Sequence, residues 1–255
     1  MNNYSTIFSP AAMLLPQDPS RFAVIACDQF TQDPAYWKAC RDFIGSAPSA
    51  LDYILPEAYL GTPLEDTQKE VIREHMRTFT PDAMIPYDGL VYVERTLPSG
   101  AIRTGIVGKL DLEAYDYTKG SRSPIRATEE TVLERIPPRC RIREEAAIEL
   151  PHILVLVDDA ALFAMLRDTR DTLATLYDCA LMEGGGHIHG YAVTGAVLAR
   201  TMEEIAAYEA AHADGVIYAM GDGNHSLAAA KAHYENLKKS LGDAAKAHPA
   251  RRSKT

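Results

Sequence analysis

Six consecutive residues, Gly221-Asp222-Gly223-Asn224-His225-Ser226, bring together a carboxylate, an imidazole, an amide, a hydroxyl and two glycines. An apolar run, Val216-Ile217-Tyr218-Ala219-Met220, precedes them, and Leu227-Ala228-Ala229-Ala230 comes after, which predicts a strand–loop–helix unit. The amino end of a helix presents unpaired N–H groups and the positive end of a dipole, so such a junction suits an anion or a phosphate. Gly221 and Gly223 let backbone amides approach a phosphate closely. Asp222 can hold a metal ion that offsets phosphate charge, or accept a proton from a hydroxyl. His225 can donate to a phosphate oxygen or move a proton near neutral pH. The same letters also read as a tight turn in which Asn224 or Ser226 is an ordinary helix cap.

A second group lies upstream, in Arg126-Ala127-Thr128-Glu129-Glu130-Thr131. A carboxylate beside a transferring phosphate acts as general base toward a hydroxyl or binds magnesium, so Glu129 and Glu130 are candidates. The alternative is a solvated helix face shared with Glu134. Arg139, Arg141 and Arg143 stand next to Glu144 and Glu145 and read as surface ion pairs. His187 and His189 alternate across Ile188, so a strand points both to one face. With Asp178 or His225 they form a possible transition-metal set, against a plain polar surface. Asp28 ends an apolar run, where open α/β sheets place functional groups, or it opens an Asx turn. Cys27 and Cys140 have no histidine nearby in sequence to activate them. Neither a Walker phosphate loop nor a Gly-x-Ser-x-Gly elbow occurs.

The elements that must position these groups are legible from periodicity. Residues 22–27 read as a buried strand, and Asp33-Pro34 caps and opens a helix over 36–43. A second helix spans 64–79, with Val71, Ile72, His75, Met76 and Phe79 on one face. Strands at 89–96 and 101–110 form a hairpin across Pro98-Ser99-Gly100. Residues 119–124 form a surface loop. Helical turns capped by Thr128 and Thr131 come next, Pro137-Pro138 ends them, and a helix covers 139–149. A strand at 153–157, a helix at 160–168, strands at 173–181 and 187–194 around Glu183-Gly184-Gly185-Gly186, and a helix at 202–212 lead to the junction. The last helix runs from His225 to about Leu241, and the basic end, residues 251–255, reads as frayed. The predicted fold is mixed α/β, a sheet with hairpins and crossover helices. An amino-terminal half, residues 1–150, packs against a half, 151–255, that carries the junction.

Composition narrows the function classes. The 255 residues are 47% hydrophobic and 24% charged, the profile of a folded globular chain. A net charge of −9 argues against a nucleic-acid partner, which requires a basic face. Four scattered cysteines without a Cys-x-x-Cys pair predict free thiols in a reducing compartment. No apolar run approaches the ~18 residues of a membrane span, and the first residues lack the basic and apolar parts of a signal peptide. The expectation is a cytoplasmic protein with a small-molecule substrate, no membrane partner, and a homo-oligomer allowed.

Gly221 to Ser226, with the strand before and Leu227-Ala228-Ala229-Ala230-Lys231 after, resembles a loop of the bacterial family called domain of unknown function 1015. Most members read Ala-Asp-Gly-His-His-Arg there. The resemblance extends to Arg126-Ala127-Thr128-Glu129-Glu130-Thr131, to Tyr177-Asp178 with Gly184-Gly185-Gly186, and to His248-Pro249-Ala250-Arg251, covering nearly the whole chain. Relatives continue beyond that last motif, so a truncation relative to the family is expected. More remotely, Asp-Gly-x-His at a strand–helix junction is similar to the phosphate loop of the ParB and sulfiredoxin superfamily, which includes free serine kinases and CTP-binding partition proteins. That likeness implies that Gly221, Gly223, Asn224 and Ser226 cradle a nucleotide phosphate. Asn224 and Ser226 depart from the family's histidine and arginine, so a cation from Arg126 or from Arg139, Arg141 and Arg143 must substitute. The resulting expectation is a phosphotransferase that binds ATP or ADP with Mg2+ and acts on a small hydroxyl-bearing metabolite. Asp222 positions the metal or acceptor, His225 stabilises charge, and Glu129 or Glu130 is the base. The alternatives are a non-catalytic nucleotide sensor and a metal-dependent hydrolase using His187, His189, His225 and Asp222.

Overall fold

The computed structural model describes residues 5–25, 32–150 and 152–254. Local signals set many of its boundaries. After β1 (Phe8–Ser9) and β2 (Ala11–Pro16), Asp18 caps α1 (Pro19–Phe22) and Asp33 caps α2 (Pro34–Ile44), each with proline in the first turn. Residues 23–25 adopt no regular structure and 22 ends a helix, so the strand expected at 22–27 is absent from its described part. Cys27 and Asp28 lie outside the described residues. α3 (Glu65–Arg77) carries acidic residues in its first turn and His75 and Arg77 in its last, matching the helix dipole.

β3 (Met84–Thr96) is longer than the spacing predicts because its two ends have different partners. Met84–Gly89 pairs antiparallel with β2, while residues 91–96 lie between β4 (Ile102–Val107) and the later strand at 187–193. The expected single strand over 101–110 is broken at Gly108, and β5 (Lys109–Asp111) leaves β4 to join β1. A Cβ at Gly108 would lie 2.5 Å from the Phe8 ring and 2.8 Å from Leu90, so only glycine fits where the chain changes sheets.

β6 (Ile125–Arg126) comes after the 119–124 loop, and α4 (Ile136–Glu145) begins with Pro137 and Pro138 in its first turn. The prolines open this helix instead of closing the preceding segment, because their missing N–H groups have no partner in a first turn anyway. Thr128 and Thr131 cap nothing. The chain then forms β7 (Leu154–Leu156), α5 (Ala160–Thr169) capped by Asp159, β8 (Thr175–Ala180) and β9 (His187–Val193). α6 (Gly195–Ala211), β10 (Tyr218–Asp222), α7 (Asn224–Leu241) and β11 (Arg252–Lys254) complete it. The tail expected to fray is a strand paired with β5.

Three sheets result: β1-β5-β11, β6-β10-β7, and β2-β3-β9-β8 with β4 also on β3. Each draws strands from both residues 1–150 and residues 151–255. The fold is mixed α/β, and no helix among the described residues is long and apolar enough to cross a membrane. The main core joins Leu90 and Tyr92 of β3, Leu162 and Leu166 of α5, Met202 and Ile205 of α6, Tyr218 and Met220 of β10, and Leu227 and Tyr234 of α7. Burying each such side chain contributes roughly 1.5–3 kcal/mol. A second cluster lies around Trp37, Cys40 and Ile44 of α2, and a third forms the α4–α7 seam at Ile136, Cys140, Ala228 and Ala229. Cys40 and Cys140 are buried free thiols, and burial pushes both up from their ordinary range.

Glu209 of α6 is a buried carboxylate. It accepts the Ile7 and Phe8 backbone N–H groups at 2.8 and 3.0 Å and the Tyr218 hydroxyl at 2.9 Å. One side chain therefore ties α6 to β10 and to β1, the edge strand of the β1-β5-β11 sheet. Glu209→Ala strands three donors, so we expect a loss of at least ~2 kcal/mol of unfolding free energy, measured by urea denaturation at pH 7.

Candidate functional site

The junction between β10 and α7 is tighter than a six-residue loop. Gly221 and Asp222 still belong to the strand, α7 starts at Asn224, and only Gly223 lies between, with φ of 82°. The left-handed conformation favours glycine. A Cβ on Gly223 would meet Ile153 Cα at 3.1 Å, and one on Gly221 would meet Leu156 Cγ at 3.2 Å. The two glycines are thus explained first by the close approach of β7 at Gly221 and of Ile153, just before β7, at Gly223.

The helix cap is Gly223, without a side-chain cap bond. Neither Asn224 nor Ser226 serves as the expected cap. The Asn224 Nδ2 donates to Glu129 Oε1 at 2.9 Å, and Ser226 Oγ lies 2.8 Å from His152 Nε2. Ser226 N and Leu227 N both donate to the Gly223 carbonyl, so the Asn224 and His225 amides are the ones a first turn leaves without a helical acceptor. Asp222 is exposed, and its Oδ1 accepts the following Gly223 N–H at 2.6 Å.

The segment from Thr128 to Val132 folds over this helix end. Thr128 Oγ1 donates to the Met220 carbonyl at 2.7 Å, and the Val132 N–H donates to His225 Nε2 at 3.1 Å. Further on, Cys140 Sγ contacts the Ala229 carbonyl at 3.4 Å. Contacts advance in the same direction along both chains, so α4 and α7 run parallel with their amino ends together. α4 likewise lacks a side-chain cap. Two helix dipoles thus present their positive ends near one another. Thr131 Oγ1 and Asn224 Oδ1 are buried there without a hydrogen-bond partner among the described residues.

His225 is held below the ordinary imidazole range, first by burial and then by Arg135 and Arg139, with Glu129 opposing. Because Nε2 accepts from Val132, the neutral ring carries its proton on Nδ1. The ring is therefore a neutral donor near pH 7.

Several sequence candidates are corrected. Glu130 is not drawn to the junction: it is exposed and meets Lys119 at 3.5 Å. Arg126 turns its guanidinium back onto the carbonyls of Ser123 and Arg122, at 3.1 and 3.4 Å. Arg143 pairs with Glu149 instead, and burial lowers it to about 10. His187 meets Asp178 at 3.0 Å, and His189 is bound to Tyr191 and Thr175, all in the β8–β9 sheet. Among the described residues no group of three or more His, Cys, Asp or Glu side chains is placed to hold a metal ion, so the three-histidine centre is not assembled there. Sequence reasoning missed His152 and Arg135. His152 lies 74 residues from Ser226 and carries no local signal.

Protonating His225 costs the folded state more than the unfolded chain, whose histidine titrates near 6.5. Its contribution is complete above that value and is lost as pH falls below it. We expect nitrogen-15 NMR to show His225 largely neutral, with Nδ1 protonated, at pH 6.5. The stability lost between pH 7.5 and 5.5 should shrink in His225→Gln.

Two of the segments that carry the family resemblance, 126–131 and 221–226, are thus in direct contact through Glu129 and Asn224, and Thr128 reaches Met220 beside them. No curated protein and no solved structure matches the chain. Residues 8–253 match the family described as Protein of unknown function (DUF1015), and the chain belongs to that family.

Proposed function

We propose that the chain is a nucleotide-binding phosphotransferase whose phosphate site is the β10–α7 junction and whose acceptor is a small hydroxyl-bearing metabolite. The observation that carries this reading is the amino end of α7, capped by a glycine with no side-chain cap and flanked by Glu129, Asp222 and His225. A helix end whose amides are not satisfied by a side chain is an anion site. The nearby Arg135 and Arg139 supply the positive charge that Ser226 does not. The likeness to the ParB and sulfiredoxin phosphate loop belongs to the same reading.

In this reaction Glu129, oriented by Asn224, takes the proton of the acceptor hydroxyl. The acceptor oxygen forms a bond to phosphorus while the bond from phosphorus to the nucleotide's leaving oxygen breaks. His225 donates from Nδ1–H to a phosphate oxygen, and the first amides of α7 hold the group in line. Asp222 is the side chain that would hold magnesium, an ion that takes one or two carboxylates and draws its other ligands from phosphates and water. Bound there, magnesium would offset phosphate charge.

A thermal-shift series with ATP, ADP, CTP and GTP, each with and without magnesium, tests the reading. One nucleotide should raise the melting temperature, and Asp222→Ala or His225→Ala should abolish the rise. Glu129→Gln should keep binding yet lower transfer to an acceptor by at least ~100-fold. No shift with any nucleotide, or shifts that survive both alanine variants, would overturn it.

A further inference from the structure

The transfer described above leaves one pair of side chains at the junction unused. Ser226 Oγ lies 2.8 Å from His152 Nε2, within the roughly 2.6–3.2 Å reach of a nucleophile and its general base. A serine in the first turn of a helix can bond nearby backbone groups. Here the Ser226 N–H serves the Gly223 carbonyl, while the side chain turns to an imidazole 74 residues away. Gly223 makes that meeting possible. A Cβ there would stand 3.1 Å from Ile153 Cα and 3.5 Å from the His152 carbonyl oxygen. A larger residue would therefore push the 152–153 segment, and its imidazole, outward.

The surroundings of the pair point to a ligand. Ser226 is the third residue of α7, in the same turn as the Asn224 and His225 amides that lack a helical acceptor. Thr131 precedes the Val132 that holds His225, and Thr131 and Asn224 are only 8% and 4% exposed. Thr131 Oγ1 and Asn224 Oδ1 have no hydrogen-bond partner among the described residues. A buried hydroxyl without an acceptor is costly, and a phosphoryl oxygen would satisfy the one on Thr131.

We propose that Ser226 is a site of self-phosphorylation, with His152 as its base and a nucleoside triphosphate at the junction as donor. The proposal rests on the phosphotransferase reading above. Ser226 Oγ forms a bond to the γ-phosphorus while the bond from phosphorus to the oxygen of the leaving nucleoside diphosphate breaks. The hydroxyl proton passes to His152 Nε2. The product is a phosphoserine carrying about two negative charges near neutral pH. It lies in the first turn of α7, where two amides and the helix dipole favour it against the carboxylates of Asp222 and Glu129. There it takes the amides that would hold the nucleotide, so a chain left without acceptor closes its own site.

The test incubates the purified chain with ATP and Mg2+, without acceptor, and follows it by intact mass and peptide mapping. We expect one phosphoryl group per chain at most, on Ser226, at a rate per chain independent of protein concentration. His152→Gln should slow labelling at least ~10-fold and keep the thermal shift with a non-hydrolysable ATP analogue. Ser226→Ala should not label, whereas Ser226→Thr keeps a hydroxyl and should label at the same position. The labelled chain should bind ADP at least ~10-fold more weakly. Should Ser226→Ala fail to fold, the mapped position and His152→Gln decide. Label elsewhere, an unchanged rate in His152→Gln, a rate that rises with protein concentration, or undiminished ADP binding would each overturn the proposal. A nucleotide shift without label would sink it alone and leave the phosphotransferase reading standing; neither shift nor label would end both.

Discussion

The architecture depends on one buried carboxylate. Glu209 would be costly to bury alone, since an ionised carboxylate loses its hydration on entering the core. Three donors compensate it: two backbone N–H groups at the start of β1 and the hydroxyl of Tyr218 on β10. The arrangement holds the Tyr218 hydroxyl well above its ordinary range, with burial as the first cause and Glu209 as the second. It also couples two sheets that share no strand. β1 carries β5 and β11, where Asp111 holds Arg252, and β10 carries the junction with α7. A change at Glu209 would therefore reach both places.

At the junction, backbone geometry and side-chain chemistry meet in few residues. Gly223 must be small because Ile153, just before β7, passes against it and because its φ is left-handed. That same requirement deprives α7 of a side-chain cap. The usual capping residues are present but turned elsewhere, Asn224 to Glu129 and Ser226 to His152. Capping typically stabilises a helix by about 1 kcal/mol, so a long helix that forgoes it leaves its positive end open to other negative groups. The parallel course of α4 adds to that field, and the α4–α7 seam of Cys140, Ala228 and Ala229 holds the two ends in place.

α7 also organises charge along its length. Lys231 and Lys238 reach Glu235, and Lys238 reaches Glu113, which accepts from Tyr234 as well. Basic groups near its carboxyl end, including Lys238 and Lys239, are favoured by the negative end of the dipole. Beyond the helix, Lys246 pairs with Asp243 and Arg251 and Arg252 with Asp111, whereas the acidic side chains Asp222 and Glu129 stand at its amino end. One helix thereby separates two chemically distinct regions.

Much of the scaffold was legible from the chain itself, because the forces concerned act over a few residues. Asp33-Pro34 announces a helix start through its own capping chemistry, and alternation locates β9 and the second half of β3. The family resemblance likewise rests on contiguous motifs. Other features depend on partners that no local pattern names. Pro137-Pro138 is a stop or a start according to whether the next residues find a surface to pack on, and α7 supplies the surface that makes α4 a helix. Glu129 and Glu130 are equivalent in sequence, and only the Asn224 amide, 95 residues away, selects the first. Arg251 and Arg252 look like a loose basic tail until Asp111, 140 residues from Arg251, holds both. The sequence determined the caps, strand periods and motifs because propensity and hydrogen bonding within a turn are local. Tertiary structure decided which charges are neutralised, which caps are diverted and where the motifs converge, because desolvation and pairing act between residues that only folding brings together.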